Sequence, residues 1–254
     1  MAYLNPLTKF LAIKIVYYGP GLSGKTTNLK YIYRKIDESS RGELILLETD
    51  TRRTFFFDLL PVKVGKINIF NTHLQLLTVP GQVFHEEARK AILKGVDGIV
   101  FVADSQLPLL DANIESFNKL KKDLLEYNID LFKIPIVFQY NKRDLKNLIP
   151  VETFNRVLNT IGAPYVEASA LEGWGVLETL KEISRLVIPP WIKKYSKEYE
   201  KEKESLKKEN VIFSKKEETG EFAPIKKIKL KSDKDFEKEI EKLIKEYVSK
   251  PKKN

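Results

Sequence analysis

The chain contains no cysteine, one methionine and two tryptophans among its 254 residues. The absence of cysteine excludes a disulfide scaffold, a thiolate metal site and a cysteine nucleophile. No apolar run approaches the roughly 20 residues that cross a bilayer, and the N-terminal segment lacks the small-residue cleavage site of a signal peptide. We therefore expect a cytoplasmic protein.

Charges of both signs are plentiful, but they are unevenly distributed. The 44 Lys and Arg outnumber the 35 Asp and Glu, which gives a formal charge of +9 and a pI near 9.3. A pI this high raises nucleic acid and anionic membranes as partners. Residues 191–254 hold 20 Lys against 14 Asp and Glu and so carry +6, which leaves +3 on residues 1–190. We predict a nearly balanced domain over residues 1–190 and a Lys/Glu-rich extension over residues 191–254.

The predicted domain alternates between short apolar segments rich in β-branched residues and segments of helical periodicity. The predicted strands are IKIVYY, GELILLET, KINIF, HLQLLTV, GIVFVAD, IPIVFQY and PYVEAS. The predicted helices are Thr27–Ile36, His85–Lys94, Asp111–Tyr127, Val151–Ile161 and Gly175–Val187. This alternation predicts an α/β fold with a mostly parallel sheet between two layers of helices. Only Asn71-Thr72 separate KINIF from HLQLLTV, which predicts one antiparallel hairpin.

A glycine-rich segment, Gly19-Pro-Gly-Leu-Ser-Gly-Lys-Thr26, follows the first predicted strand and opens a predicted helix. It matches GxxxxGK[ST] at every fixed position, in the strand-to-helix context that this phosphate-binding motif requires. Backbone amides and the helix N-terminus bind phosphate there, Lys25 bridges the β- and γ-phosphates, and the Thr26 hydroxyl binds Mg²⁺. The alternative is a turn that only begins a helix. The expected nucleotide-binding residues are Gly19, Gly21, Leu22, Ser23, Gly24, Lys25, Thr26 and Thr27.

The segment Asn141-Lys-Arg-Asp144 follows the predicted strand IPIVFQY. A carboxylate at Asp144 accepts two parallel hydrogen bonds from the N1–H and exocyclic amine of guanine, and adenine lacks these donors, so discrimination reaches roughly 10⁴-fold. We expect Lys142 along the purine face, and Asn141 is expected to join this loop to the phosphate loop. On its own the segment also fits an ordinary polar loop. Together with the phosphate motif it predicts a guanine nucleotide and disfavours an ATP-dependent enzyme.

A third loop, Glu167-Ala-Ser-Ala-Leu171, follows the last predicted strand. It fits a loop that supports the base through backbone amides, which adds Ser169, Ala170 and Leu171 to the expected nucleotide site. The alternative for Ser169 is a helix N-cap, and the two roles are compatible.

In this order, GPGLSGKT, NKRD and EASAL resemble the Ras-like small GTPases over about residues 9–190. Three further segments, Thr51–Pro61, Thr78–Phe84 and Lys94–Gln106, resemble more specifically the bacterial MglA proteins, which are gliding-motility and cell-polarity GTPases. The resemblance implies a P-loop NTPase fold with a six-stranded Ras-like G domain. It also implies hydrolysis of GTP to GDP and phosphate with Mg²⁺, as a polarity or surface-motility switch that concentrates at a cell pole.

The resemblance assigns roles in the two segments that sense the γ-phosphate. It implies that Thr54 binds Mg²⁺ in the GTP state, that Gly81 donates its backbone N–H to the γ-phosphate, and that Gln82 orients the attacking water. It makes Arg53 an arginine finger supplied from within the chain. Arg52 is the alternative finger.

Either arginine also fits an ion pair with Glu48, Asp50 or Asp58, which would leave it without a role in hydrolysis.

Most Ras-like proteins carry the aspartate of a DxxG motif where this chain has Thr78-Val-Pro-Gly81, a departure that the MglA family shares. We expect the missing carboxylate to leave the outer shell of Mg²⁺ less charged than usual.

The resemblance further implies an activator, a small roadblock-fold dimer of the MglB type that repositions the arginine and glutamine of the GTPase itself. It predicts slow intrinsic hydrolysis that this partner accelerates. Two alternatives remain open. One is a GTP-binding scaffold with little hydrolysis, an alternative suggested by the missing carboxylate at position 78. The other is a small GTPase that serves a different process, such as membrane trafficking.

The extension ends in an apolar stripe on a Lys-rich segment. Six apolar residues recur there at the spacing of one helix face: Phe236, Ile240, Leu243, Ile244, Tyr247 and Val248. It predicts an amphipathic helix at about residues 235–249, which would dock on its own domain, a protein partner or an anionic membrane. Interleaved acidic residues disfavour a nucleic-acid partner and peripheral membrane contact. Residues 193–210 are expected to continue the last helix or to form a solvated helix of their own.

Overall fold

The structure is a computed structural model that describes residues 2–5, 8–47, 57–79 and 86–208. Eight strands and five helices lie in these ranges. The strands are β1 Tyr3–Asn5, β2 Phe10–Tyr18, β3 Ile45–Leu47, β4 Phe57–Ile67, β5 Phe70–Thr78, β6 Gly98–Asp104, β7 Ile136–Asn141 and β8 Tyr165–Glu167. The helices are α1 Lys25–Lys35, α2 Glu86–Leu93, α3 Leu110–Glu126, α4 Val151–Val157 and α5 Val176–Lys208.

The strands form one sheet in the order β3-β4-β5-β2-β6-β7-β8, and β1 pairs with β2 outside this path. Strands β5, β2, β6, β7 and β8 run parallel, whereas β4 runs antiparallel to both β3 and β5, and β1 antiparallel to β2. The α/β class and the mostly parallel sheet are as predicted. The sheet has eight strands where six were expected. Strand β3 lies within the predicted segment GELILLET, whereas β1 has three residues and is too short to impose a pattern on the sequence.

The antiparallel hairpin lies earlier in the chain than predicted. Strands β4 and β5 are joined at Asn68-Ile69, and Asn71-Thr72 lie inside β5. Asn68 adopts φ 54°, a conformation that asparagine tolerates better than most residues. The predicted strand KINIF contains only the last two residues of β4, because Pro61 and a register shift next to Gly65 interrupt the alternation of the earlier part.

Two apolar layers cover the faces of the sheet, as parallel strands require. Odd-numbered residues of β2 such as Ile13 and Ile15 face α1 and α5, where Leu29 and Ile183 are buried. The opposite face of the sheet packs against α2, α3 and α4. Its aromatic members include Phe101, Phe117, Phe138, Tyr140 and Phe154.

Helix α5 continues through Pro189 and Pro190 to Lys208 and therefore crosses the predicted boundary at residue 190. Ile192 is buried against the domain, and the Tyr195 hydroxyl donates a hydrogen bond to the carbonyl oxygen of Ala2 at 3.0 Å. The division into residues 1–190 and 191–254 stays a prediction, and the helix predicted at 235–249 lies outside the described residues. No helix in the described ranges is both long enough and apolar enough to cross a membrane.

Candidate nucleotide-binding site

The phosphate loop connects the carboxyl end of β2, in the middle of the sheet, to the start of α1. Glycine is required near both of its ends. A β-carbon on Gly19, which has φ 149°, would lie 2.2 Å from the carbonyl oxygen of Val102. A β-carbon on Gly24, at φ 98°, would lie 2.3 Å from Nδ2 of Asn141. At these two positions the loop therefore approaches β6 and the last residue of β7 too closely for any side chain.

The N-terminus of α1 is available to an anion. Gly24 occupies the N-cap position, where no described side chain caps the helix, and its first turn contains no acidic residue. The unpaired N–H groups and the helix dipole consequently present positive charge to whatever lies in the loop.

Lys25 bends back over the phosphate loop. Its Nζ donates hydrogen bonds to the carbonyl oxygens of Gly19 at 3.0 Å and Pro20 at 2.7 Å, and the side chain is buried. Burial lowers the pKa of Lys25 to about 7, and the negative charge of Asp58 partly opposes that shift. A phosphate in the loop would compete with the two carbonyls for the ammonium and would raise this pKa.

Asn141 joins the three predicted loops. Its Nδ2 donates to the carbonyl oxygen of Ser23 at 2.7 Å, and its Oδ1 accepts from the backbone N–H of Ala170 at 2.8 Å. The side chain is 1% exposed. The expected link between base loop and phosphate loop is present, and the same amide also holds the loop after β8.

Lys142 is fixed by an ion pair at the end of β6. It has φ 65°, and its Nζ lies 2.5 Å from Oδ2 of Asp104, which is buried. Asp104 also accepts a hydrogen bond from the backbone N–H of Gln106, and its own N–H donates to Oδ1 of Asn113. These contacts set the direction of the lysine side chain along the edge of the sheet.

Arg143 braces the base loop from the opposite side. Its Nε donates to Oε2 of Glu167 at 2.7 Å, and its backbone N–H donates to the carbonyl oxygen of Ala168 at 3.0 Å. Asp144 follows and is exposed, and its carboxylate forms no hydrogen bond or ion pair with the described residues. The loop thus holds Asp144 at its rim with both oxygens open to a ligand.

Ser169 caps a tight turn rather than a helix. Its Oγ accepts a hydrogen bond from the backbone N–H of Glu172 at 3.1 Å, whereas α5 begins later, at Val176. Because the amide of Ala170 is engaged by Asn141, this loop supports the base loop directly. Leu171, the next residue, is 76% exposed.

Asp58 in β4 lies beside Thr78 in β5 and close to the phosphate loop. Its backbone N–H donates to Oγ1 of Thr78, and this hydroxyl donates to Oδ2 of Asp58, both at 3.0 Å. The carboxylate is 1% exposed. Burial raises the pKa of Asp58, whereas the hydroxyls of Thr26 and Thr78 and the charges of Lys30 and Lys25 favour the ionised form.

Comparison with known proteins identifies the family. The chain matches no protein-family model. It is 52% identical over 188 residues to the Mutual gliding-motility protein MglA of Myxococcus xanthus (strain DK1622). The aligned region makes up 74% of this chain and 96% of that protein. The chain belongs to the MglA family.

Membership of the MglA family confirms the predicted fold class, a P-loop NTPase with a Ras-like G domain. It implies a guanine nucleotide and Mg²⁺ as ligands. The structure brings the phosphate loop, the base loop and the loop after β8 together at the carboxyl edge of the parallel strands, the usual position of ligands in such sheets.

Five residues with roles taken from the MglA resemblance fall in segments 48–56 and 80–85, outside the described residues. They are Arg52, Arg53, Thr54, Gly81 and Gln82. Their roles stay predictions.

Two carboxylates at the site of this MglA-family chain were not among the predicted site residues. Asp104 ends β6, so its position at the carboxyl edge of a parallel strand was the signal for it. Asp58 stands near the start of β4, and because β4 is antiparallel to β5, its start lies at the same edge. The sequence pointed to Asp58 only as a possible ion-pair partner of Arg52 or Arg53, because the first part of β4 was not recognised as a strand.

Proposed function

We propose that this protein binds GTP and GDP where its three loops converge, and that it hydrolyses GTP to GDP and phosphate. The observation that carries the proposal is the pair of hydrogen bonds made by Asn141. They lock the loop that would bind the base to the loop that would bind the phosphates. A nucleotide spanning both loops would meet a preorganised surface and would lose little affinity to loop ordering.

Guanine is the base that this arrangement favours. Asp144 presents two acceptors at the rim of the loop, and Lys142 is held beside it by Asp104. The N1–H and exocyclic amine of guanine supply the matching donors, and adenine would leave the carboxylate unpaired.

The residues present fit Mg²⁺. A hydroxyl is available on Thr26 at the start of α1, and a buried carboxylate, that of Asp58, lies close to this hydroxyl. Thr54 would supply the second protein ligand in the GTP state. Mg²⁺ bound there would neutralise part of the charge on the β- and γ-phosphates.

Hydrolysis would depend on positioning and electrostatic stabilisation. Lys25 would hold the β- and γ-phosphates, Gln82 would orient the attacking water, and Arg53 would stabilise the charge that develops during phosphoryl transfer. A roadblock-fold dimer of the MglB type would accelerate this step by placing Gln82 and Arg53.

We further propose a role in gliding motility or cell polarity, with the protein concentrated at a cell pole. The name of its Myxococcus relative supports the role in gliding motility. The competing proposal is a GTP-binding scaffold with little hydrolysis, and Thr78 in place of the usual aspartate is the observation that favours it.

Nucleotide selectivity tests the proposal at Asp144. We expect the full-length protein to bind GDP about 10⁴-fold more tightly than ADP in a competition assay with a fluorescent GDP analogue. Asp144→Asn replaces an acceptor with a donor, which suits the C2 carbonyl of xanthine, so this variant should prefer XDP to GDP. Glu152→Gln, an exposed neutral substitution on α4, is the control and should keep the wild-type ratios. Comparable affinities for GDP and ADP would contradict the proposal.

A further inference from the structure

Three buried polar side chains lie in a layer of the domain that is otherwise apolar. They belong to Asn28 in α1, Gln139 in β7 and Thr179 in α5, and each residue is 0% exposed. Residues beside them in the sequence, such as Leu29 and Leu180, are buried in the apolar layer between the sheet and helices α1 and α5. Burial of polar groups in such a layer costs free energy unless each of them is hydrogen bonded.

The three side chains form one hydrogen-bonded network, the Asn28–Gln139–Thr179 network. Nδ2 of Asn28 donates to Oε1 of Gln139 at 2.8 Å, and Nε2 of Gln139 donates to Oδ1 of Asn28 at 2.9 Å. Nε2 of Gln139 also donates to Oγ1 of Thr179 at 2.9 Å, and this hydroxyl donates to the carbonyl oxygen of Gly175 at 2.6 Å. Nδ2 of Asn28 gives its second proton to the carbonyl oxygen of Gly24 at 2.9 Å. Every side-chain N–H and O–H proton of the network therefore has an acceptor.

The network connects the same three loops that Asn141 joins. Gly24 belongs to the phosphate loop, and β7, which carries Gln139, leads into the base loop. Gly175 packs against the loop after β8, since a β-carbon on it would lie 2.2 Å from the carbonyl oxygen of Glu167. The loops are thus held together a second time, by contacts that are separate from those of Asn141.

Asn28 fixes the direction of one peptide group in the phosphate loop. The carbonyl oxygen of Gly24 accepts from the backbone N–H of Asn28 at 3.0 Å as well as from its Nδ2. The peptide bond between Gly24 and Lys25 is trans and planar, so its N–H points away from its carbonyl. The backbone N–H of Lys25 is therefore directed out of the helix N-terminus, where a phosphate would bind.

Apolar side chains at positions 28 and 139 could also hold α1 against β7. Replacement of both partners of a buried hydrogen bond by apolar groups of similar shape is often nearly neutral for stability. Apolar groups cannot, however, donate to the Gly24 carbonyl oxygen and so fix the phosphate-binding amide. Packing alone therefore does not account for the amide pair.

We propose that Asn28 and Gln139 are positioning residues for the β-phosphate of the nucleotide. Gln139 orients the Asn28 carboxamide, and Asn28 holds the Gly24–Lys25 peptide so that its N–H points at the β-phosphate. This inference rests on the proposed function and deepens it, because it names residues that control affinity for the phosphates rather than for the base. A preoriented amide adds affinity for GDP, whereas GMP has no β-phosphate and gains little from it.

Competition by GDP and GMP tests this role. Both compounds displace a fluorescent GDP analogue from the full-length protein, and the ratio of their dissociation constants isolates the contribution of the β-phosphate. The double variant Asn28→Leu with Gln139→Met replaces the amide pair by apolar side chains of similar size. We expect its urea unfolding to stay close to wild type and the ratio of the GMP to the GDP dissociation constant to fall about tenfold.

The control is Asn159→Ala, a buried asparagine whose side chain bonds to the backbone N–H and carbonyl of Ala163 in the segment between α4 and β8. This variant should lose stability and keep the wild-type ratio of dissociation constants.

Thr179→Val provides a second variant if the double variant does not fold. Valine has the shape of threonine and removes only the hydroxyl, which leaves one proton of Gln139 without an acceptor. We expect the ratio of dissociation constants to fall about threefold.

A wild-type ratio in the folded double variant, or in Thr179→Val where the double variant does not fold, would overturn the inference and leave the network a role in packing alone. Failure of the wild-type protein to bind GDP at all would instead overturn the proposed function.

Discussion

At the scale of single residues, the candidate site depends on one buried amide. Asn141 is donor to the phosphate loop and acceptor for the loop after β8, so neither a hydrophobic residue nor a carboxylate can replace it. Gly24 and Lys142 lie next to it and have positive φ angles. These conformations keep the backbone close enough for the two hydrogen bonds of Asn141. Specificity for the base would therefore rest on loop geometry as much as on Asp144.

Asn141→Ala should weaken GDP binding and lower stability together. The substitution leaves the Ser23 carbonyl and the Ala170 amide without their partner, at a cost of about 1–3 kcal/mol in the free energy of unfolding. It also releases the base loop, so GDP affinity should fall by at least about tenfold. Urea unfolding and GDP titration measure the two effects.

The matched control is Asn155→Ala, which removes the acceptor for the Tyr140 hydroxyl on the helical layer. This variant should lose stability without losing GDP affinity. If Asn141→Ala also retained wild-type GDP affinity, Asn141 would have only a structural role.

Lys14 provides a test of the electrostatics away from the site. Its Nζ donates to the carbonyl oxygen of Lys94 at 2.8 Å, and burial lowers its pKa to about 8, with the charge of Asp97 opposing the shift. Between this value and the ordinary lysine pKa of 10.5 the unfolded chain holds a proton that the folded chain has released. Rising pH therefore favours the folded state.

We expect the Lys14 contribution to the free energy of unfolding to rise by about 2 kcal/mol between pH 8 and pH 10. Lys14→Met should remove this contribution, and urea unfolding of both proteins at the two pH values measures it. Lys66→Met, at an exposed position of the β4–β5 hairpin, should keep the wild-type difference. An equal pH dependence in wild type and Lys14→Met would refute the assignment.

At the scale of elements, α5 packs on the domain beyond the predicted boundary at residue 190. The composition changes at Pro190, yet the helix continues, and Ile192 and Tyr195 pack on the domain. A proline pair removes backbone donors from a helix without ending it when side-chain packing on both sides supports the helix. The change in composition at residue 190 therefore does not mark the last residue that packs on the domain.

Truncation distinguishes the two boundaries. A chain that ends at Pro190 loses the burial of Ile192 and the hydrogen bond from Tyr195 to Ala2, so its free energy of unfolding should fall by about 3 kcal/mol. A chain that ends at Lys208 keeps every described contact and should match the full-length protein in urea unfolding. Tyr195→Phe should fall between them, since it loses only the hydrogen bond. Equal stability of the two truncated chains would place the boundary at residue 190.

At the scale of the whole molecule, the proposed switch needs the segments that lie between the described elements. Gln82 and Arg53 flank the site in sequence, and strands β4 and β5 connect the two segments directly through a hairpin. A displacement of β4 and β5 would therefore move the segments that carry Arg53 and Gln82 together. We expect an activator to act through this hairpin.

Single-turnover hydrolysis with and without a roadblock-fold dimer tests the catalytic assignments. Gln82→Leu should abolish the stimulated reaction while GTP binding persists, because the water loses its orienting group. Arg53→Ala should lower the stimulated rate about 10³-fold or more, and Arg52→Ala should leave it near wild type.

The reverse result for the two arginines would make Arg52 the finger. A wild-type protein that binds GTP but shows no stimulated hydrolysis would favour the scaffold alternative.

The sequence by itself determined the fold class, the phosphate loop and the base loop. Each of these motifs is short and contiguous, since the ligand is small and the backbone of one loop must wrap around one chemical group. The match between a strand, a glycine loop and a helix over Gly19–Thr26 leaves few other interpretations. Family membership then confirmed the fold that these segments predicted.

Only the tertiary structure decided the partners of those loops. The Asp58–Thr78 pair depends on the register of β4 against β5, and the Asp104–Lys142 pair depends on β6 lying beside β7. Residues that pair across two strands can be separated by any number of residues in the sequence, so no local sequence pattern predicts these contacts. The continuation of the last helix into residues 193–208 was one of the two alternatives predicted, but its packing was not predicted, because its partners Ala2 and Phe70 lie far away in the sequence.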